Sequence, residues 1–179
     1  LRRSIVPNFS LQIATAPLDE AIRRTVLPQR HAVSDTLRLL RYYRMDREGR
    51  FILGARGPFR DDVGISEAAR QMRHVRQIFP QLGAVHIDHV WSGQVAMTPD
   101  HLPHLHVLAP GVFAALGYNG RGVALATTMG RLLADLAAGA KPEAIDFPMT
   151  ELRSIPLHGF NRIGVRILTQ YYRMRDRFG

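Results

Sequence analysis

A chain of 179 residues with 46% apolar and 22% charged content is long enough to bury one sizeable core and short for two complete domains, and its composition excludes a disordered segment. The formal charge of +9 comes almost wholly from arginine, Lys141 being the only lysine, and the arginines are scattered from Arg2 to Arg177 rather than gathered into the run that nucleic-acid binding favours. Without cysteine there is no disulfide framework and no thiolate metal site, and no apolar stretch reaches the ~20 residues of a membrane-spanning helix.

In chain order, the pattern predicts a strand over residues 11–18, closed by Pro17. A helix over 18–27 follows, with Asp19 and Glu20 in its first turn and Pro28 as its stop. Residues 36–45 and 51–56 flank Asp46-Arg47-Glu48-Gly49, a loop of hairpin length. A helix over 67–78 is expected to be capped by Ser66 and to end before Pro80, and a strand is expected over 83–91. A short strand at 106–108, then Pro110-Gly111 and residues 112–116, lead into a glycine turn and a helix ending near Gly139. Residues 141–156, with three prolines, read as a strap. Phe160, Ile163, Ile167, Tyr171 and Met174 then recur at helical spacing in residues 159–178, with Arg162, Arg166, Arg173 and Arg177 mostly opposite. Such a basic amphipathic helix suits a membrane surface; packing of the apolar stripe on its own protein is the preferred expectation. The whole reads as α+β, an antiparallel or mixed sheet with helices on one face followed by a strand–loop–helix.

The most informative segment is Gly117-Tyr118-Asn119-Gly120-Arg121-Gly122-Val123, which opens the small and apolar stretch 124–138. Glycines here let the backbone turn with positive φ and approach a ligand, and the following helix aims free N–H groups at whatever sits there. The spacing is G-x-x-G-x-G, the reverse of the dinucleotide fingerprint, and no acidic residue about twenty positions on ends a second strand, the chain there reading Lys141-Pro142-Glu143-Ala144, a turn, so a self-contained Rossmann unit is not supported. Histidines 86, 89, 101, 104 and 106 with Asp88 and Asp100 are possible metal ligands, but Pro103 interrupts any regular spacing; packing around Asp100 is the expected role, and no metal site is assigned. No G-x-S-x-G elbow is present.

With Trp91-Ser92-Gly93-Gln94-Val95-Ala96-Met97-Thr98-Pro99-Asp100, Leu102-Pro103, Tyr42-Tyr43-Arg44, Gly54-Ala55-Arg56 and Phe79-Pro80 added, the order resembles the C-terminal half of the FAD-dependent D-amino-acid oxidase, glycine oxidase and sarcosine oxidase superfamily, in its γ-glutamylputrescine oxidoreductase-like group. The resemblance covers nearly the whole chain. It implies a substrate-binding sheet region over 1–90, the C-terminal part of an FAD-binding domain over 91–140, and a strap with terminal helix over 141–179. The Rossmann part, with its G-x-G-x-x-G turn, is absent from these residues, so the chain is expected to be the C-terminal part of a longer protein and the N-terminal FAD-binding half its missing partner. The +9 charge then reflects genome composition and a more acidic missing half.

The resemblance implies flavin contacts from Val95, Ala96, Met97, Gly117, Tyr118, Asn119, Gly120, Arg121, Gly122 and Val123, and substrate contacts from Tyr42, Tyr43 and Arg56. Tyr42 and Tyr43 must face opposite sides of their strand, so only one can meet the substrate. Arg56 stands where sarcosine oxidases carry a substrate-side histidine, and a guanidinium there suits a carboxylate. Ala124 replaces a lysine of sarcosine oxidases involved in oxygen activation, and Val95 their flavin-linked cysteine, which implies non-covalent FAD. The implied reaction is oxidation of a C–N bond in an amine or amino acid, by hydride transfer to flavin and hydrolysis of the imine, with no residue here assigned as catalytic base. The rival reading is a non-catalytic interaction module with a basic surface. The chain alone is expected to be inactive and to self-associate, with a cytoplasmic location as default.

Overall fold

Local turn chemistry at residues 46–49 sets the register of the main sheet in the computed structural model, which describes residues 1–60 and 62–178. Asp46 Oδ1 accepts the Arg50 amide at 2.8 Å and Gly49 adopts φ 81°, so β3 (Tyr42–Met45) folds back on β4 (Arg50–Arg56) with Met45 opposite Phe51. The first arm is shorter than its expected span of 36–45. Asp35 Oδ1 accepts the amides of Leu37 and Arg41, and the carboxylate of Asp176 accepts those of Arg38 and Leu39, so side chains take the donors that a ladder would need.

β4 pairs in turn with β1 (Val6–Pro17), and the five-stranded sheet has the order β2-β3-β4-β1-β5, where β2 is Val33–Ser34 and β5 is Ile87–Met97. The pairs β2/β3, β3/β4 and β4/β1 are antiparallel. Period-2 alternation sends Leu11, Ile13, Tyr43, Met45, Phe51 and Leu53 to one face, where they bury against Ala68, Met72 and Val75 of α2 (Ile65–Ile78). Those α2 residues lie at i, i+4 and i+7, which makes one apolar stripe.

Several expected boundaries move. α1 is a single turn, Glu20–Arg23, because Thr25 Oγ1 bonds back to the Ile22 carbonyl and Leu27 takes φ 52°, ending the helix before Pro28. α2 starts at Ile65 with Gly64 at the N-cap position. Ser66 lies inside the first turn, and its hydroxyl donates to Glu67 Oε2 at 2.8 Å, so it is not the cap. β5 begins at Ile87 rather than residue 83, since Gly83 takes φ 48° to close the preceding turn, and it runs on to Met97.

The described residues form two compact units rather than one core, Phe9–Gln94 with Val165–Gly179 and Leu1–Asn8 with Val95–Gly164. The second unit holds the two-stranded antiparallel ladder of β6 (His104–Ala109) and β7 (Val112–Leu116), turned through Gly111 at φ 72°, and then α3 (Gly122–Ala137). The strap is pinned to β6 by a bridge between Leu105 and Met149 and by the Thr150 amide on the Leu105 carbonyl at 2.9 Å.

Leu125, Met129, Leu132, Leu133 and Leu136 make one inward stripe on α3, while Val123, Ala126, Gly130, Ala134 and Ala137 are exposed. α4 (Asn161–Phe178) does not pack its large apolar stripe. Ile167, Tyr171, Met174 and Phe178 are exposed, and Val165, Thr169, Tyr172 and Asp176 turn inward. Among the described residues no helix is long and apolar enough to cross a membrane.

Candidate functional site

Asn119 fixes the glycine turn. Its backbone sits at φ 50°, a left-handed conformation that asparagine tolerates better than most residues. Its side-chain oxygen accepts the Thr98 amide at 2.9 Å, and its side-chain nitrogen donates to Thr98 Oγ1 at 3.0 Å, to the Leu102 carbonyl at 3.3 Å and to the Gly117 carbonyl. The Asn119 amide also reaches the Ala96 carbonyl at 3.4 Å. Residues 95–97 and 117–123, both singled out in the sequence, are thereby brought together on one unit. Thr98, absent from the expected set, is the buried hub of this contact, 3% exposed and itself donating to the Leu102 carbonyl at 2.9 Å.

The glycines divide by role. A Cβ on Gly117, at φ 75°, would lie 2.4 Å from Thr98 Cγ2 and 3.1 Å from the Leu102 oxygen, so this glycine permits the turn to dock on its own protein. A Cβ on Gly120, at φ 85°, would meet nothing within 4 Å; its backbone borders open space. Arg121 is the N-cap residue of α3 but supplies no side-chain cap, its guanidinium donating instead to the His101 carbonyl at 2.8 Å. The amides of Gly122, Val123 and Ala124 consequently have no acceptor among the described residues, and Val123 is 97% exposed. An uncapped helix start flanked by an open glycine presents N–H donors and a positive dipole end to a ligand. Val95, Ala96, Met97 and Tyr118 are half-buried beside it.

Of the five histidines only two pack, His104 on Asp100 and His106 on His104, while His86, His89 and His101 are exposed. His104 Nε2 lies 3.1 Å from Asp100 Oδ2, and its other nitrogen 3.1 Å from Thr150 Oγ1. The His106 ring stacks on it at 5.8 Å and bonds the Thr150 carbonyl at 2.7 Å. The Leu102 amide, then His104 and Thr98, hold the Asp100 carboxyl well below the usual carboxylate range, at about 2. His101, at φ 58°, is not part of this packing. No group of His, Asp and Glu able to hold a metal occurs among the described residues.

In the sheet unit the two tyrosines part as alternation requires. Tyr43 is 6% exposed, stacked on Phe51 at 5.9 Å and edge-on to Phe79 at 5.4 Å, and burial pushes its phenol pKa up. Tyr42 lies on the opposite face, half open to solvent. Its ring lies over Gly54, where a Cβ would come within 2.0 Å of it, and its hydroxyl is held by Gln12 Nε2 at 2.5 Å and Ser10 Oγ at 3.0 Å. Ser10 and Gln12 were not foreseen; alternation puts them on one face, but their pairing with Tyr42 depends on strand order. Arg56 pairs with Ser10 in the ladder and so shares the Tyr42 face, yet its guanidinium lines a cavity with α2 and α4 in which Tyr42 takes no part.

Comparison with known proteins follows the same residues. The sequence profile of the family described as "FAD dependent oxidoreductase" (DAO) matches residues 1–136. The chain is 31% identical over 181 residues to "Probable oxidoreductase OrdL" of Haemophilus influenzae, covering 99% of this chain and 41% of that protein. It is also 31% identical over 188 residues to the γ-glutamylputrescine oxidoreductase of Escherichia coli, covering 100% of this chain and 42% of that one. The chain thus spans about two fifths of the length of these curated relatives. Among solved structures, glycine oxidase from Geobacillus kaustophilus superposes with a TM-score of 0.64 at 21% identity, over 84% of this chain and 39% of that chain, which shows a shared fold.

Proposed function

Because the chain belongs to the DAO family of FAD dependent oxidoreductases, we propose that the protein carrying it oxidises a C–N bond of an amine or amino acid, with the unit of β6, β7 and α3 contributing the flavin side and the sheet unit the substrate side. The observation that carries this reading is the Asn119-locked glycine turn in front of an uncapped α3.

The residues present fit such a group. Gly122, Val123 and Ala124 offer amides without acceptors, Gly120 leaves room for close approach, and the positive end of α3 favours a group that gains negative charge. Gly117, Tyr118, Asn119, Gly120, Arg121, Gly122 and Val123, with Val95, Ala96 and Met97 beside them, would hold its pyrimidine edge. When bound, FAD supplies the acceptor for a hydride equivalent from the carbon next to nitrogen, and the imine is then hydrolysed. Val95 offers no thiol, which supports a non-covalent complex.

The chain's own contribution is positioning. Tyr42 presents a phenol whose orientation is fixed by Gln12 and Ser10, a donor and acceptor for the substrate that costs no reorganisation. Tyr43 belongs to the core, which leaves the substrate role to Tyr42. No residue of this chain is required as base; the neutral amine is the reactive form, so activity rises with pH as the amine loses its proton.

The full-length protein, mixed anaerobically with γ-glutamylputrescine and with glycine, tests this reading. Loss of the oxidised flavin absorbance with at least one amine, faster at higher pH, is expected. A flavin spectrum untouched by a broad panel of amines and amino acids would overturn the reaction class.

A further inference from the structure

The sheet unit contains a cavity of about 910 Å³ walled by residues 37–41, the end of β4, one side of α2 and the last turns of α4. Five arginines line it, namely Arg41, Arg56, Arg70, Arg173 and Arg177, against one carboxylate, that of Asp176. Asp176 is already engaged, accepting the amides of Arg38 and Leu39 at 3.0 Å and facing the Arg38 guanidinium at 3.7 Å. Arg41 is paired with Asp35 at 3.5 Å. That leaves Arg56, Arg70, Arg173 and Arg177 without an acidic partner among the described residues.

Arg56 is the most constrained of the four. Its Nη2 is buried without a hydrogen-bond partner, while its Cζ sits 5.7 Å over the Phe59 ring. Burial, and Arg173 beside it, both lower its pKa. His74, also in the wall, is held below its ordinary value by burial and then by Arg41, Arg73 and Arg177, with Gln77 opposing. Arg70, Arg173 and Arg177 are exposed at the rim, and Arg56 contributes the buried donor without a partner. Arginines from three segments of chain thus border one hollow with a single carboxylate among them, an arrangement expected where the counter-ion is a ligand.

We propose that this cavity is a binding site for a small phosphate-class polyanion, gripped by the guanidinium groups of Arg56, Arg70, Arg173 and Arg177. Planar guanidinium forks match phosphoryl oxygens bidentately, and four of them call for several negative charges in a compact group. The volume is that of an ordinary small-ligand pocket, on the order of 300–1,000 Å³. The proposal is independent of the flavin contacts, whose residues are on the other unit, and it gives Arg56 a role apart from the substrate contact expected of it.

Isothermal titration of pyrophosphate into the purified protein at low ionic strength, with citrate in parallel, tests it against the variant Arg70→Gln/Arg173→Gln. A saturable pyrophosphate site is expected, tighter than any citrate binding and weakened at least tenfold in the variant. The ligand-free variant should also melt no lower than the parent, because removing like charges relieves repulsion, and pyrophosphate should raise the melting temperature of the parent only. Absence of saturable binding would overturn the proposal. So would unchanged affinity in the variant, which would place the anion elsewhere, or citrate binding as tightly as pyrophosphate, which would remove the phosphate assignment.

Discussion

Replacing Asn119 with alanine should destabilise the unit that carries the glycine turn by about 2–5 kcal/mol. The substitution removes the bonds to the Thr98 amide, Thr98 Oγ1 and the Leu102 carbonyl, along with the contact to the Gly117 carbonyl. Each bond is worth about 0.5–1.5 kcal/mol net, the exposed one to Leu102 least, and the Thr98 amide loses its acceptor altogether. Alanine at φ 50° adds strain on the order of 1–2 kcal/mol. Asn119→Gly separates the two contributions, since glycine loses the bonds but not the backbone conformation, and it should fall about 1 kcal/mol short of the alanine variant. Urea unfolding with amide exchange read at Thr98 is the assay. The reasoning fails if Asn119→Ala stays within about 0.5 kcal/mol of the parent and the Thr98 amide keeps its protection.

The remaining expectations concern neighbouring residues. Gly117→Ala should lower the melting temperature more than Gly120→Ala, because only the first drives a Cβ into Thr98 and Leu102 while both carry positive φ; equal losses would mean that strain alone matters. Gly120→Val in the full-length protein should abolish flavin retention, since a β-branched residue is poorly tolerated at φ 85° and where a ligand approaches the backbone; unchanged flavin content and activity would make the turn purely structural. Gly54→Ala should push the Tyr42 ring off its seat, costing about 1–3 kcal/mol and raising KM for the amine with flavin content unchanged; an unaltered KM would remove Tyr42 from the substrate face. Asp100→Asn should weaken the protein at neutral pH. Since the folded carboxyl titrates at about 2, below its unfolded value, its stabilisation is complete above the usual carboxylate range and disappears as pH falls to about 2; a parent–variant difference that persists at pH 2 would contradict this.

What could be read in advance was local. The 46–49 hairpin was legible because Asp46 and Gly49 carry the turn chemistry themselves, and the opposed faces of Tyr42 and Tyr43 follow from strand alternation alone. The glycine turn was legible as a turn, but the 21-residue separation hid the bond between the Asn119 side chain and Thr98 that fixes it. Periodicity located the α4 stripe without saying what faces it. The inward side is held by Thr169 and by Asp176, whose carboxylate captures residues 38 and 39, a contact across 137 positions that no window of sequence displays. Ser66 misled for a local reason, since Gly64 already supplies the extended backbone of a cap at φ −128°.

The central claim, that this glycine turn belongs to a flavin site, is tested most directly by the visible absorption spectrum of the purified full-length protein before and after acid precipitation. The account predicts oxidised-flavin bands in the native protein and their complete transfer to the supernatant. Colourless protein that fails to take up added FAD would contradict the flavin site itself, and flavin retained in the pellet would contradict the non-covalent hold inferred from Val95.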